Sequence, residues 1–483
     1  MKGELPKGWV WTNLEMIVSS ISNGITEKQN KKGLGIPVTR IETISNGTIN
    51  MDRVGYLQNI DNILVEKYRL SIGDILFSNI NSDFHLGKTA IFEIENEVIL
   101  HGMNLLRIKP IKNYVSPHFL NYLFNYYRYS GVFISIAQHA VNQSSINQTK
   151  LKNLEVPLPP LTEQQRIVNK IGELFTNLDK GIESLEQVKY KLKVYRQAIL
   201  KYAMEGKLTE KWREKNKDKL KFSPEINSLI KGKIQNEELD YIRKICFIEI
   251  PNDWIWSSVG NIGEVFGGKR IPKGYVISDS KTNHPYIRVT DFSNYGVKRE
   301  GLKYLENEIY NFIKRYIITK NDVYISIAGS IGKVGTIPED LDNANLTENA
   351  ARIVSSIYNN RLMAYFLNSE FCQLQISRYT IHTNQPKLAL FRIKKLIIPL
   401  PPLEEQNIIV ERIEKLFSLA DYIEETVDSK LEESKTLRQS ILKKAFEGKL
   451  VPQDPKGEPA EILLEKIKKQ RLNKEKIVQE KLI

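Results

Sequence analysis

The chain has 483 residues, 41% of them hydrophobic, which is enough to bury cores in roughly two to four domains and too much for a disordered chain. Its 70 Lys and Arg outnumber 57 Asp and Glu, for a net charge of +13. That surplus favours an anionic partner, nucleic acid first, because clustered cations release condensed counterions when they meet phosphates. The two cysteines, Cys246 and Cys372, lie far apart and form no CxxC pair, which argues against a disulfide framework and a thiolate zinc site and fits a reducing compartment. The opening MKGELPKGWVW has no apolar run behind it, and no stretch approaches the ~20 apolar residues of a membrane span. A cytoplasmic location is expected.

Residues 1–155 read as a mixed α/β domain. Short β-rich runs such as Asp74-Ile-Leu-Phe-Ser78 are separated by Gly and Asn turns, and a helical piece, HFLNYLFNYYRYSG, follows. Residues 156–208 read as a long helix. Prolines 157, 159 and 160 disfavour helix before Leu161; Thr162 and Gln165 suit a capping box. The apolar seam Ile167, Ile171, Leu174, Leu178, Ile182, Leu185, Leu192, Tyr195 and Ile199 has coiled-coil spacing, and Gly206 stands where the helix would stop. A connector, 209–249, comes next. The stretch 207–221 carries seven basic and three acidic residues, so a solvated or DNA-facing segment is expected. Residues 250–397 form a second α/β domain, with Asp322-Val-Tyr-Ile-Ser326 and RLMAYFLNSEFC. Residues 398–450 form a second long helix: Glu404 and Glu405 favour its positive end, the seam runs Ile409, Ile413, Leu416, Ala420, Ile423, Val427, Leu431, Leu437 and Ile441, and Gly448 ends it. The tail, 451–483, predicts a short basic helix from 460, after Pro452 and Pro455.

The helical segments are copies. Residues 157–208, PLPPLTEQQRIVNKIGELF to RQAILKYAMEGKL, align without a gap on 399–450, PLPPLEEQNIIVERIEKLF to RQSILKKAFEGKL, with 25 of 52 positions identical. Weaker matches extend outward. Pro6, Trp9 and Trp11 answer Pro251, Trp254 and Trp256; Gly73-Asp74 answers Asn321-Asp322; Gly87-Lys88 answers Gly332-Lys333; Asn104 and Arg107 answer Asn349 and Arg352; Asn142-Gln143 answers Asn384-Gln385. The fold class is therefore α+β: a tandem duplication of a mixed α/β domain and a long helix, the two helices pairing as an antiparallel coiled coil. Each helix would reach ~65 Å, and antiparallel pairing would put the two domains at opposite ends.

Chemistry is sparse. None of the six histidines sits in a metal-binding spacing, and no nucleophile elbow, dinucleotide fingerprint or complete phosphate loop occurs. Ser82-Asp-Phe-His-Leu-Gly87-Lys88-Thr89 has the GKT of a phosphate loop but not its first glycine. No catalytic or metal-binding residue is assigned. What remains suits DNA reading. Lys88, and Ser330 and Lys333 in the loop Gly329-Ser330-Ile331-Gly332-Lys333, put small residues and a cation where backbone N–H groups can meet phosphate, or simply make tight hairpins. Asn142, Gln143 and Ser144 in one copy, and Thr383, Asn384, Gln385 and Lys387 in the other, are polar loops suited to base edges or to turns alone. Lys269-Arg270 follows Gly267-Gly268, and Arg40 and Arg288 end the matched segments PVTR and PYIR; arginine to guanine is the commonest specific contact, although an exposed arginine is usually just solvated.

The PLPPLTEQQRIV and PLPPLEEQNIIV openings, the RQAILKYAMEGKL and RQSILKKAFEGKL ends, the WVWTNL and WIWSSV starts and AFEGKLVPQDPKGEPAEILLEKI resemble the specificity subunit of type I restriction-modification systems over nearly the whole chain. The resemblance implies two target-recognition domains, each reading half of a split DNA site, and paired helices that act as a ruler and as the dock for two methyltransferase subunits. It places the dock on 161–205 and 403–447, with Leu161, Gln164, Ile167, Leu403, Gln406 and Ile409 as partner-binding residues. It implies no cofactor in this chain: S-adenosylmethionine, ATP and magnesium belong to the methyltransferase and endonuclease partners. Because the two domains differ, an asymmetric bipartite target in double-stranded DNA is expected; half-sites one turn apart lie ~34 Å from each other, within a ~65 Å spacer. The first helix is followed by LTEKWREKNKDKLKF rather than by a copy of VPQDPKGEPAEILL. Two other readings compete: a specificity half of a combined restriction-methylation enzyme with its own active site, and a coiled-coil adaptor for proteins.

Overall fold

The structure of the chain, a computed structural model, describes residues 4–45, 47–141, 143–222, 247–381, 385–454 and 456–480. It divides into two compact units: Met1–Leu185 with Ser429–Ile483, and Glu186–Asp428. Each unit holds one α/β head and a stretch of both long helices.

In the first unit, β1 (Val10–Asn13) pairs antiparallel with β9 (Glu155–Leu158), the strand that closes the head. Half of the PLPP segment thus belongs to a strand. Proline fits there because in a two-stranded ribbon each strand has a free edge that asks for no donor. The main sheet is antiparallel, in the order β2 (Val18–Asn23), β6 (Leu106–Pro110), β3 (Ile75–Phe77), β5 (Thr89–Ile91). The strands inside β2 are buried on both faces: Ile75, Phe77, Leu106 and Ile108 join one core, Leu76 and Ala90 another. The helix Pro117–Tyr129 lies on the first face. Ser116 caps it and Pro117 opens it, and its Phe124 meets Phe77 edge to face with ring centroids 5.9 Å apart. A second sheet joins β7 (Gln138–Ala140), β8 (Gln143–Ser145) and β4 (Ile80–Asn81).

The second unit repeats the plan. Its β10 (Ile255–Ser258) pairs with β15 (Ile397–Leu400), matching Ile255 to Leu400 as Val10 matches Leu158. Its sheet runs β11 (Glu264–Gly267), β14 (Ala350–Val354), β12 (Val323–Ser326), β13 (Val334–Thr336). The matched Asp322 and Arg352 prove structural: Arg352 Nη1 lies 3.0 Å from the buried Asp322 carboxylate. Arg107 in the first unit spends its guanidinium on the Arg69 and Lys67 carbonyls.

The long helices are Leu161–Met204 and Leu403–Phe446, 44 residues each. Gly206 and Gly448 follow at φ +66° and +67°, the left-handed stop that glycine adopts freely. Within each unit the helix segments run antiparallel. In the second, Lys189 pairs with Asp428 and Arg196 with Asp421 and Glu424. In the first, Arg438 pairs with Asp179 and lies 4.4 Å over the Phe175 ring. Arg438 and Asp179 are the repeat counterparts of Arg196 and Asp421, so one ion pair is written twice.

Three local expectations are corrected. Tyr195 and Leu437, read as seam positions, are exposed, because the seam at that level is taken by Arg196 and Arg438 reaching across to acids. The Thr162–Gln165 capping box does not form: Thr162 lies inside the first turn and Gln165 donates to Asn169. The start of the connector is anchored. Thr209 and Leu220 are buried and Arg213 turns inward to Glu405, leaving Lys207, Lys211, Lys215, Lys217, Lys219 and Lys221 exposed. The rest of the connector, 223–246, and with it Cys246, lies outside the described residues; Cys372 is buried.

Each head is completed by the helix that begins at the other. Ile441, Leu442, Ala445 and Phe446 join the first head's core together with Leu463 and Ile467 of the terminal helix Ala460–Glu480. Ile199, Leu200, Ala203 and Met204 join the second head's core. Among the described residues no helix is long and apolar enough to cross a membrane.

Candidate nucleic-acid interface

In the first head, two segments singled out by sequence come together. The loop 82–88 leaves β4 and returns into β5, while β8 pairs with β4, setting Ser144 opposite Asn81. Gly87 has φ +74° and a Cβ there would lie 2.3 Å from the Phe133 ring, so only glycine fits the turn. Ser144 is buried. Its hydroxyl donates to the Asp83 carboxylate and therefore accepts from His139 Nδ1, 2.8 Å away, which must carry the proton. The serine proton goes to aspartate rather than to imidazole, so this trio lacks the proton path of a nucleophile; it ties the hairpin to the loop. Gln143 is exposed, and Asn142 lies outside the described residues. Lys88 is half-buried. Burial, then the nearby Arg128, holds its ammonium below the usual lysine range.

The second head repeats the juxtaposition. The turn 327–333 joins β12 to β13 with Gly329 and Gly332 at φ +71° and +87°. Ser326 Oγ donates to the Ser330 carbonyl at 2.5 Å and accepts from the Lys333 N–H at 2.9 Å. Lys387 bridges to Ala328, and Leu388 N–H donates to the Ile327 carbonyl at 3.0 Å. Ser330, Lys333, Gln385 and Lys387 are exposed on these adjoining segments; Thr383 and Asn384 lie outside the described residues.

The predicted arginines are committed locally. Arg288 holds Asp291 bidentately, 3.0 and 2.7 Å, and donates to the Gly301 carbonyl; the Asp291 carboxylate raises its pKa. Arg270 is exposed yet bound to Glu348 at 2.6 Å. Arg40 pairs with Glu42 at 2.7 Å on the rim of a cleft of about 750 Å³ that Lys31, Lys32 and Arg53 also line. Lys269 is exposed, its ammonium 5.6 Å from the Tyr316 ring centroid. Among the described residues no group of three or more His, Cys, Asp or Glu side chains is placed to hold a metal.

Four of the six residues assigned to partner docking serve their own heads instead. Gln164 is buried, accepts from Ser116 N–H at 2.9 Å and donates to the Pro159 and Tyr114 carbonyls. Gln406 does the same in the second unit, with Asn359 N–H at 2.6 Å and the Pro401 and Ile357 carbonyls. Ile167 and Ile409 are fully buried in the head cores. Leu161 and Leu403 remain exposed. Other exposed apolar side chains on the long helices include Tyr190, Val194, Tyr202, Leu419, Tyr422 and Leu437. Two features escaped the sequence reading. Glu163 and Glu405, matched in the repeat, are buried carboxylates that receive the segment following the other helix: Gln453 donates to Glu163, and Thr209 and Arg213 donate to Glu405. The signal was their position two residues after leucine in both PLPPLxEQ openings. The second is the Phe84–Arg128 contact beside Lys88, visible in sequence only as an aromatic in the GKT loop.

Two heads of one plan, each presenting the same loop pair with different side chains, match a known family. The type I restriction modification DNA specificity domain matches residues 6–193 and again 251–433. The chain belongs to this family. It is 33% identical over 429 residues to a putative type I restriction enzyme MjaX specificity subunit of Methanocaldococcus jannaschii, covering 87% of this chain and 89% of that one. It is 30% identical over 479 residues to the EcoBI specificity subunit of Escherichia coli, covering 95% and 92%. The fold is shared with a chain solved in work on complex assembly and conformational transition of a type I R-M system, at TM-score 0.65 and 17% identity over 93% of this chain and all of that one. It is shared too with the HsdS subunit from Thermoanaerobacter tengcongensis, at TM-score 0.50 and 17% identity, covering 92% and 98%.

Proposed function

We propose that this chain is the non-catalytic DNA-reading subunit of a type I restriction-modification complex, each head reading one half of an asymmetric bipartite site. The observation that carries the reading is the duplicated loop pair. Each head sets its Gly-Lys turn beside a Gln-bearing segment, yet Phe84 of the first has no aromatic counterpart in the Ala-Gly-Ser turn of the other, and Pro386 stands where the repeat would place Ser144. Equal frames with unequal side chains suit two different half-sites. Half-buried Lys88 and exposed Lys269, Lys333 and Lys387 suit phosphate, and Gln143 and Gln385 suit base edges. Two methyltransferase subunits would dock on the helices through Leu161, Leu403 and the exposed tyrosines, and endonuclease subunits would join through them. S-adenosylmethionine, ATP and magnesium would be held by those partners, all in the cytoplasm.

The test is to co-express the chain with its methyltransferase subunit in a host free of adenine methylation and to map the modified positions. An asymmetric split motif is expected, lost when the chain is omitted. A palindromic or contiguous motif, or methylation that does not need this chain, overturns the reading.

A further inference from the structure

Packing does not account for Phe84. It is 77% exposed on the loop 82–88, yet its surroundings hold it in place. The His85 ring stands edge-on at 4.9 Å, and the Arg128 guanidinium lies 5.9 Å from the Phe84 ring centroid and 5.6 Å from that of Tyr129. Arg128 Nη2 also donates to the Phe84 carbonyl at 2.9 Å, so the residue that fixes the loop backbone also flanks the ring.

Charge at the same place is uncompensated. Neither Lys88 nor Arg128 takes a carboxylate partner among the described residues; burial lowers the pKa of both, and Arg128 depresses Lys88 further. Arg128 Nε and His85 Nδ1 are buried without a hydrogen-bond partner. Asp83, on the same loop, is taken up by Ser144 and His139. Phe84, Lys88, Arg128 and Tyr129 all border one cleft of about 1030 Å³. Glu93 and Asp179 border the same cleft but pair with His118 and Arg438; two neighbouring cations that pair with none of these acids oppose folding and favour an anion. An exposed aromatic ring beside phosphate-binding cations is the arrangement that stacks on, or wedges between, bases.

We propose that Phe84, Arg128 and Lys88 form a nucleotide grip in the first head: Lys88 and Arg128 hold one DNA phosphate while Phe84 stacks on the adjoining base step. The grip rests on the DNA-reading function above and adds an asymmetry to it. The matched turn 327–333 has no aromatic residue, so only the first half-site is distorted.

The experiment uses the full chain in complex with methyltransferase and duplexes carrying the mapped motif, with 2-aminopurine placed in turn through each half-site. Wild type should raise the fluorescence at one step of the first half-site and at none of the second. Phe84→Ala should abolish that rise and weaken binding about tenfold, with Phe84→Trp restoring both. Lys88→Gln and Arg128→Gln should each reduce the slope of log affinity against log salt by about one. Phe84→Ala should leave the slope unchanged, a pattern that mere loss of folded protein does not produce. A sequence-selective wild-type complex whose Phe84→Ala variant binds equally well with unchanged fluorescence overturns the grip alone, as do unchanged slopes in both cation variants. A wild-type complex with no sequence preference overturns the DNA-reading function and the grip with it.

Discussion

Replacing Glu405 by alanine tests how the base of the second unit is held. The carboxylate is fully buried and accepts from Thr209 Oγ1 at 2.6 Å, Arg213 Nη1 at 2.7 Å and Trp254 Nε1 at 2.8 Å. Removing one partner of a buried ion pair costs about 3–5 kcal/mol, because the charge left behind is uncompensated. Arg213 also donates to the Gly206 carbonyl at 2.7 Å, and the Thr209 hydroxyl, 3.3 Å from that carbonyl, can turn its proton to it once the carboxylate is gone, which places the loss near the lower end, ~3 kcal/mol with the orphaned indole included. Glu163→Ala is the internal control. Its carboxylate takes the neutral Gln453 amide at 2.7 Å and faces the Trp9 indole, while nearby Arg166 donates to the Pro452 carbonyl, so no directly paired cation is stranded and ~1 kcal/mol is expected. Hydrogen exchange followed by mass spectrometry reads each site separately, which matters because a chain of two units need not unfold in one step. Protection of the 207–215 segment should fall by roughly 100-fold in Glu405→Ala, and that of 448–454 by under about tenfold in Glu163→Ala. The reasoning fails if Glu405→Ala costs less than about 1 kcal/mol, or no more than its control.

Three further perturbations follow from the first unit. His101 is fully buried, donates through Nε2 to the Leu105 carbonyl at 2.9 Å, and burial pushes its pKa down to about 3. With its folded pKa depressed, its contribution is full above the unfolded value near 6.5 and is lost as pH falls toward about 3. Between pH 7 and 5 the first unit should lose ~2 kcal/mol through this group, read from urea midpoints and absent in His101→Asn; an equal slope in both proteins would count against it. Gly448→Ala places a Cβ 2.1 Å from Pro6 Cγ at φ +67° and should cost about 2–3 kcal/mol. By contrast Gly181→Ala, in open space on the helix, should add about 0.5–1 kcal/mol. Thermal melts that rank these two the other way would refute the assignment.

Much of this architecture is readable from the chain. The helices begin at Leu161 and Leu403 because proline before and glycine after are local signals, and duplication makes each a check on the other. What sequence conceals is where an apolar residue is spent. Ile199 continues the heptad spacing of a seam, yet it enters the core of the second head, and periodicity cannot distinguish a partner helix from a sheet. Gln164 and Gln406 sit in the best-matched motif and look like surface polar residues; they are buried because each satisfies three backbone groups left over where a head meets its helix. The candidate reading loops were legible as turns. Whether a cation there is idle or taken depends on acids brought near by the fold: Glu348 engages Arg270 and Asp291 engages Arg288, while Lys88 takes no carboxylate among the described residues and is pushed down by Arg128.

The exchange of helix ends sets an order on synthesis. The first head is made first and finished last: its β-strands and capped helix are out of the ribosome while Ile441, Leu442 and Phe446, which seal its core, are still roughly 280 residues away, tens of seconds at ~5–20 residues per second. The second head meets its borrowed residues, 199–204, already made. A stalled or prematurely ended chain would therefore leave the earlier head open with its apolar floor exposed, while the later one closes on schedule. Quality control in the cell would act on the oldest part of the molecule rather than the newest.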